Sequence, residues 1–182
     1  MRIIAGMFKG KKIHSVEGNT ARPTTDFVRE MIFSTLYSLN TKNTNVLDLY
    51  AGSGSLGIEA LSRGAENIVF VEGARKAVSA ILANLKALNC ADKCKVIMKK
   101  VDTFLKNCDE MSFDIIFCDP PYNKGLVNST IDSIAQKDIL NDDGILIVEH
   151  SKDEPIHETQ TIHKIKEKHT SNTTITFINF RR

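Results

Sequence analysis

The stretch Asn45-Val46-Leu47-Asp48-Leu49-Tyr50-Ala51-Gly52-Ser53-Gly54-Ser55-Leu56-Gly57 decides the fold. Its first six residues form a short apolar run broken by one acid, which reads as a buried strand. Gly52, Gly54 and Gly57 then match G-x-G-x-x-G. Small residues at those places let the chain turn tightly and come close to a ligand. A helix is expected from about Ser55 to Arg63, stopped by Gly64. Its amino end would favour negative charge. The same spacing also describes a tight strand-to-helix turn with no ligand, so the rest of the chain has to decide.

Working outward, strand and helix alternate. Apolar runs at 66–72 (ENIVFVE), 93–100 (KCKVIMKK), 113–121 (FDIIFCDPP) and 144–151 (GILIVEHS) read as strands. Between them, 75–88, 102–108 and 125–136 carry helical periodicity. Near-continuous apolar strands suit a parallel sheet covered on both faces. Alternation with helices implies right-handed crossovers, hence an α/β, doubly wound sheet. Two further strands, 162–169 and 173–180, lie close enough in sequence to form a hairpin. The expectation is a mostly parallel seven-stranded sheet with an antiparallel C-terminal hairpin. Ahead of it, residues 2–14 read as short strands around Gly6 and Gly10, Gly18-Asn19 as a turn, and 21–39 as a helix. Thr24, Thr25 and Asp26 offer that helix its caps, and Phe27, Met31, Phe33, Leu36 and Tyr37 recur at helical spacing. The chain thus divides into a small β/helix extension (1–44) and a larger α/β unit (45–182), expected to pack as one body.

Composition bounds the function classes. The 182 residues carry a formal charge of +2, with 42% apolar and 25% charged residues, ordinary globular usage. No apolar run approaches ~20 residues, so no membrane span is expected. The start of the chain places Lys9, Lys11 and Lys12 where a secretory signal would be apolar. Cys90, Cys94, Cys108 and Cys118 form no C-x-x-C pair and no zinc spacing, so reduced thiols in a cytoplasmic protein, without metal, are expected. Lys9, Lys11, Lys12 and Arg22 concentrate positive charge near one end and are candidates for phosphate contacts. An ordinary solvated surface would look the same.

In doubly wound sheets, ligands sit at the carboxyl ends of the strands. The glycine loop is one such end. Glu72 is a second, twenty residues after Gly52, and an acid there can accept both hydroxyls of a ribose. Asp119-Pro120-Pro121-Tyr122 is a third. Two prolines stiffen the chain and remove two N–H donors, leaving the Pro120 carbonyl to face a ligand. An acid, a fixed carbonyl and an aromatic ring within four residues suit a planar amine, with two acceptors for its N–H groups and a ring to stack on.

VLDLYAGSGSLGIEALSRGA (46–65), Glu72 and DPPY (119–122) together resemble the S-adenosylmethionine-dependent methyltransferases that modify exocyclic amines. With RIIAGMFKGKKI (2–13) and ARPTTDFVREMIFSTL (21–36), the whole chain resembles the bacterial family that methylates a guanine N2 amine of 16S ribosomal RNA. The resemblance implies a Rossmann-like methyltransferase fold and S-adenosyl-L-methionine as cofactor. It implies that Asp48, Ala51, Gly52, Ser53, Gly54 and Gly57 hold the methionine part and Glu72 the ribose. Thr25, Arg29 and Glu30 match a helix motif that closes over the cofactor's amino-acid end. Where the superfamily often carries an acid near the adenine amine, alignment places Lys100 or Val101, with Asp102 just beyond. Either a backbone contact at Val101 or the Asp102 side chain is therefore expected there. Asp119, Pro120, Pro121 and Tyr122 would hold the target amine, within a small ribosomal subunit or its assembly intermediate, and the enzyme would work as a monomer.

Three rival readings share parts of this pattern. An adenine-N6 methyltransferase would use the same DPPY corner. A nicotinamide dehydrogenase would use the glycines and Glu72 but leaves Asp48 and DPPY unexplained. A non-catalytic RNA-binding scaffold would keep the fold without the chemistry.

Overall fold

The computed structural model describes residues 1–16, 25–36, 42–108 and 111–181. The expected Gly18-Asn19 turn, the cap candidate Thr24, the phosphate candidate Arg22 and the helix residue Tyr37 lie outside the described residues. The elements run in the order α1 (Asp26–Leu36), β1 (Asn45–Leu49), α2 (Ser55–Ser62), β2 (Asn67–Glu72), α3 (Arg75–Leu88), β3 (Cys94–Met98) and α4 (Val101–Leu105). They continue with β4 (Phe113–Cys118), α5 (Leu126–Lys137), β5 (Leu140–Ser151), β6 (Ile162–His169) and β7 (Thr173–Phe180). The sheet has seven strands in the order β3-β2-β1-β4-β5-β7-β6. The first five are parallel, and β7 and β6 join antiparallel. From β1 the chain moves out to β2 and β3, then crosses back to β4 on the other side. The crevice above β1 and β4 is therefore the topological switch point.

Side chains alternate across the sheet and build two cores. Val46, Phe70, Phe117 and Phe177 pack against α1, α2 and α3 on one face. Leu47, Leu49, Val71 and Ile116 pack against α4 and α5 on the other. Phe33 of α1 meets Phe117 of β4 with ring centroids 5.7 Å apart and planes tilted by 56°, a geometry that suits the ring quadrupoles. β5 begins at Leu140, earlier than its glycine suggests, because Phe113 pairs with Leu140 across a bulge before Ile115 meets Ile145. The outer strand β6 is rich in lysine and carries its own irregularity between Lys164 and Lys166. Both features protect an exposed edge from pairing with another chain.

The N-terminal segment folds back on itself through an Arg2–Lys12 bridge and lies along α2. Glu59 of α2, fully buried, accepts hydrogen bonds from the amides of Ile4 (2.8 Å) and Ala5 (3.0 Å) and from Arg63 Nε (2.8 Å). A carboxylate with three donors keeps most of what it loses on leaving water. Ser62 accepts from the Phe8 amide at 3.0 Å, and its carbonyl accepts from the Met7 amide at 2.8 Å. At Gly6 (φ +80) a Cβ would fall 1.8 Å from the Ser62 carbonyl oxygen, so only glycine fits. Ile3 and Ile13 complete the core on the α1 side. Among the described residues no helix is long and apolar enough to cross a membrane.

Candidate active site

Strand register sets the site. Leu49 pairs with Val71 and with Cys118, and Cys118 pairs with Val148. One residue further on, Tyr50, Glu72, Asp119 and Glu149 therefore stand in a row along the carboxyl edge of the sheet. Three of the four are acids, so this edge attracts cationic ligands. A cleft of about 1160 Å³ opens above it, larger than the roughly 300–1,000 Å³ typical of a single small-molecule pocket. Its walls are Tyr50–Ser53, Ser55, Glu72, Ala74, Asp119–Tyr122, Ser151–Asp153 and Ser171–Asn172, with Met1, Ser15 and Val16 from the N-terminal arm.

The loop is held in place by hydrogen bonds at both ends. Tyr50 (φ +57) and Gly52 (φ +56) take left-handed backbone conformations, and Gly54 (φ +78) does so as it caps α2. For tyrosine this conformation is strained, and such strain persists where surrounding contacts fix it. Here the Tyr50 hydroxyl is 2.9 Å from Thr130 Oγ1 of α5. Burial pushes the phenol up to about 12. At Gly52 a Cβ would meet nothing nearer than 4.0 Å, so the loop is open to a ligand there. Gly57 does different work: a Cβ would fall 2.4 Å from the Phe70 ring, so its absence lets α2 lie directly on β2.

Two acids organise the loop. Glu72 accepts from the Gly52 amide through Oε2 (2.9 Å) and from the Ala74 amide through Oε1 (2.7 Å). Each oxygen keeps a second lone pair for a hydroxyl, so a ribose fits without displacing either bond. Asp48, 1% exposed, accepts from the Gly57 amide at 2.9 Å and satisfies a free donor in the first turn of α2. Burial drives its carboxyl up to about 8, against the lowering effect of the Gly57 amide, and the nearby Glu72 adds to the rise.

The opposite wall is the diproline corner. Asp119 is half-buried, Pro120 buried and Pro121 exposed. The Tyr122 hydroxyl donates to Glu149 Oε1 at 3.0 Å. Its one proton is then used, so Thr173 Oγ1, 2.9 Å away, donates to it. Burial, followed by the charge of Glu149, raises the Tyr122 phenol far above its ordinary value. Cys118, directly beneath Asp119, is also raised by burial, which makes it a packed thiol rather than a nucleophile.

Of the residues expected to meet a cofactor, Ala51, Gly52, Ser53 and Glu72 line the cleft. Asp48, Gly54 and Gly57 lie beneath the loop and support it. Thr25 caps α1, accepting from the Val28 amide at 3.2 Å, and lines a neighbouring cavity. Arg29 and Glu30 are elsewhere. Arg29 is wholly buried, donating to the Arg2 carbonyl (2.6 Å) and to Asp26 (2.7 Å). Glu30 sits 3.7 Å from Arg63. Helical spacing turns both toward the arm and α2, so this pair fastens the extension and neither lines the cleft. Val101 packs in the α4–α5 core and Asp102 is exposed; neither lines the cleft either. Lys9, Lys11 and Lys12 are exposed, and Lys11 Nζ lies 5.3 Å from the Phe8 ring centroid. The tip carrying Lys9 packs beside Ser62, at the end of α2 away from the glycine loop. Among the described residues no group of three or more His, Cys, Asp or Glu is placed to hold a metal ion.

Sequence reading missed Asn84 and Glu149. Asn84, 1% exposed, donates to the carbonyls of His14 and Ser53 (both 3.0 Å) and accepts from the His14 amide (2.7 Å), tying the arm to the glycine loop. Its signal was a polar residue amid the apolar face Val78, Ile81, Leu85 and Leu88. Glu149 lies inside β5, two residues before its end at Ser151, so the rule that reads acids at strand ends does not find it; only the register with Asp119 brings it to the row.

Comparison with known proteins places the whole chain in a family. The family model described as Conserved hypothetical protein 95 matches residues 1–179. Ribosomal RNA small subunit methyltransferase D of Haemophilus influenzae is 34% identical over 172 residues, covering 93% of this chain and 89% of its own. The protein of the same name from Escherichia coli strain K12 is 35% identical over 149 residues, covering 82% and 74%. A solved Escherichia coli structure, described as a candidate methyltransferase (yhhF), superposes with a TM-score of 0.88 at 31% identity, over 100% of this chain and 98% of that one. By a family match over nearly the whole chain and relatives covered over most of their length, the chain belongs to the Conserved hypothetical protein 95 family of Rossmann-like methyltransferases, alongside the small subunit methyltransferase D proteins.

Proposed function

We propose that this protein transfers a methyl group from S-adenosyl-L-methionine to the exocyclic N2 amine of a guanine in 16S ribosomal RNA. One observation carries the reading: Glu72 with the Gly52 loop and Asp119 with Tyr122 line a single cleft, larger than one ligand needs. The relatives named for ribosomal RNA methylation support the substrate class.

When bound, S-adenosyl-L-methionine supplies an electrophilic methyl group on a sulfonium. Glu72 binds the ribose with its two remaining lone pairs. Gly52 and Ser53 would approach the methionine portion, and Asp48, beneath the loop, would balance its ammonium when ionised. Asp119 and the Pro120 carbonyl accept the two N–H bonds of the target amine. That draws its lone pair out of conjugation with the ring and aims it. Tyr122, fixed by Glu149 and Thr173, stacks on the base. Well-oriented reactants gain roughly 7–11 kcal/mol over free encounter. The amine becomes acidic once alkylated, so Asp119 relays a proton and no strong base is needed. The base must leave its stack to reach this depth, as it does in an unpaired loop. The exposed Lys9, Lys11 and Lys12 contact phosphates away from the cleft, and a single copy of the chain suffices for the chemistry.

The test is labelled methyl transfer to small subunits from cells lacking the protein, followed by nucleoside analysis. N2-methylguanosine is expected, and Asp119→Ala should abolish it while keeping cofactor affinity. Label in N6-methyladenosine would replace the guanine reading with the adenine one. No label in any nucleoside would overturn methyl transfer to RNA.

A further inference from the structure

A second cavity of about 450 Å³ opens beside the cleft, between the start of α1 and the β6–β7 turn. Ser171 lines both spaces. The partition between them is the Tyr122 hydroxyl with its partners Glu149 and Thr173, which face the second cavity. Its rim carries Phe27, an aromatic ring left 69% exposed. Its lining includes Glu149, 7% exposed, His169, whose Nδ1 is 3.1 Å from Thr174 Oγ1, and Thr25 and Thr170, whose hydroxyls accept from the Val28 and Thr173 amides and keep a further lone pair.

This chemistry selects its ligand. A flat aromatic rim favours a planar ring, and hydroxyls, a carboxylate and the His169 ring favour the polar edge of such a ring. The same carboxylate repels phosphate. A nucleobase matches, with its sugar and phosphate left outside in water. Unpaired RNA is read by stacking on exposed aromatic rings and by hydrogen bonds to base edges. A base flipped against Tyr122 leaves its chain neighbour near this partition. We propose that the cavity is a second nucleotide subsite, taking the unpaired base next to the methylated one and stacking it on Phe27. The proposal rests on the RNA methyl-transfer reading and adds a specificity site to it.

Phe27→Ala and Phe27→Trp are compared with the wild type in methyl transfer to unmethylated small subunits. Separately, wild-type complexes with those subunits are irradiated with ultraviolet light and the crosslinked peptides mapped. Stacking of one base predicts that Phe27→Ala raises KM for subunits about 5- to 150-fold. The value of kcat and the cofactor Kd should stay unchanged, as they do when only uniform substrate binding is lost. Phe27→Trp should restore KM, and a crosslink should fall on the Phe27 peptide. An unchanged KM in Phe27→Ala overturns the subsite. A loss in kcat as large as that in kcat/KM overturns it too, because Phe27 would then act on the reacting base. If the wild type transfers no methyl group, the parent reading fails instead. The crosslink still decides the subsite, and its absence from Phe27 overturns it.

Discussion

The Gly52 amide donates to Glu72 Oε2 at 2.9 Å, across twenty residues of chain. The acid that can hold a ribose therefore also fixes the loop that approaches the rest of the same ligand. In the proposed function, binding and loop geometry rest on one carboxylate.

Glu72→Gln tests both roles at once. The amide must turn an NH2 group toward either the Gly52 or the Ala74 amide, both of which are donors. Hydrogen bonds to charged groups are worth roughly 1.5–3 kcal/mol. Calorimetric titration should show cofactor affinity reduced by about 10- to 150-fold, and the lost loop bond should lower the melting temperature as well. An affinity equal to wild type would remove Glu72 from the ribose site.

Asp48 links the site to pH. In the unfolded chain its carboxyl ionises near 4, whereas burial in the folded protein raises it to about 8. The folded state thus binds the extra proton. The associated stability is complete below about pH 4 and is lost as pH rises to about 8. Asp48→Asn, neutral throughout, should match the wild type near pH 4 and be more stable near pH 8.5. Melting temperature would report this at roughly 2–4 °C per kcal/mol for a chain of this size. Equal differences at both pH values would contradict the assignment. Conversely, a cationic cofactor favours ionised Asp48, so wild-type affinity should rise with pH toward 8 while the Asn variant stays weak and flat.

Two glycines of one motif should fail differently. Gly57→Ala drives a methyl group to within 2.4 Å of the Phe70 ring and 2.9 Å of Ile68. Overpacking of this kind costs roughly 1–3 kcal/mol. Gly52→Ala meets no atom closer than 4.0 Å and carries only the left-handed backbone penalty of roughly 1–2 kcal/mol. Its new methyl group occupies ligand space, however. Denaturant unfolding should therefore be hit harder by the first change and cofactor affinity harder by the second. The reverse ranking would mean that the loop does not face the ligand.

Asn84→Ala removes three hydrogen bonds that join the arm to the glycine loop. Each buried group left without a partner costs roughly 1–3 kcal/mol. A clear fall in melting temperature is expected, together with weaker cofactor binding, although Asn84 does not line the cleft. Hydrogen exchange should rise at His14, the amide that bonds to Asn84. Protection unchanged there would show that the arm is held by Glu59 and Ser62 alone.

Periodicity placed most of the helices and strands, because an apolar stripe of period 3.6 and a continuous apolar run bury differently; it failed over 2–14, where the expected short strands reduce to a single Arg2–Lys12 bridge, and at the start of β5. Arg75–Leu88 was legible to the residue for that reason. So were the ends of β1, β2 and β4, where apolar runs stop at Tyr50, Glu72 and Asp119. The local sequence could not say which way a charged helix residue turns. Arg29 and Glu30 carry the right types for a ligand, yet packing against the arm and α2 directs them inward and sideways. Nor could it say that Asn84 reaches Ser53, or that Tyr122 shares its hydroxyl with Glu149 and Thr173. Chemistry at strand ends is written locally, because each strand brings its own terminal residue to the edge. The row of acids along that edge is not, because it exists only once the strands have settled into register.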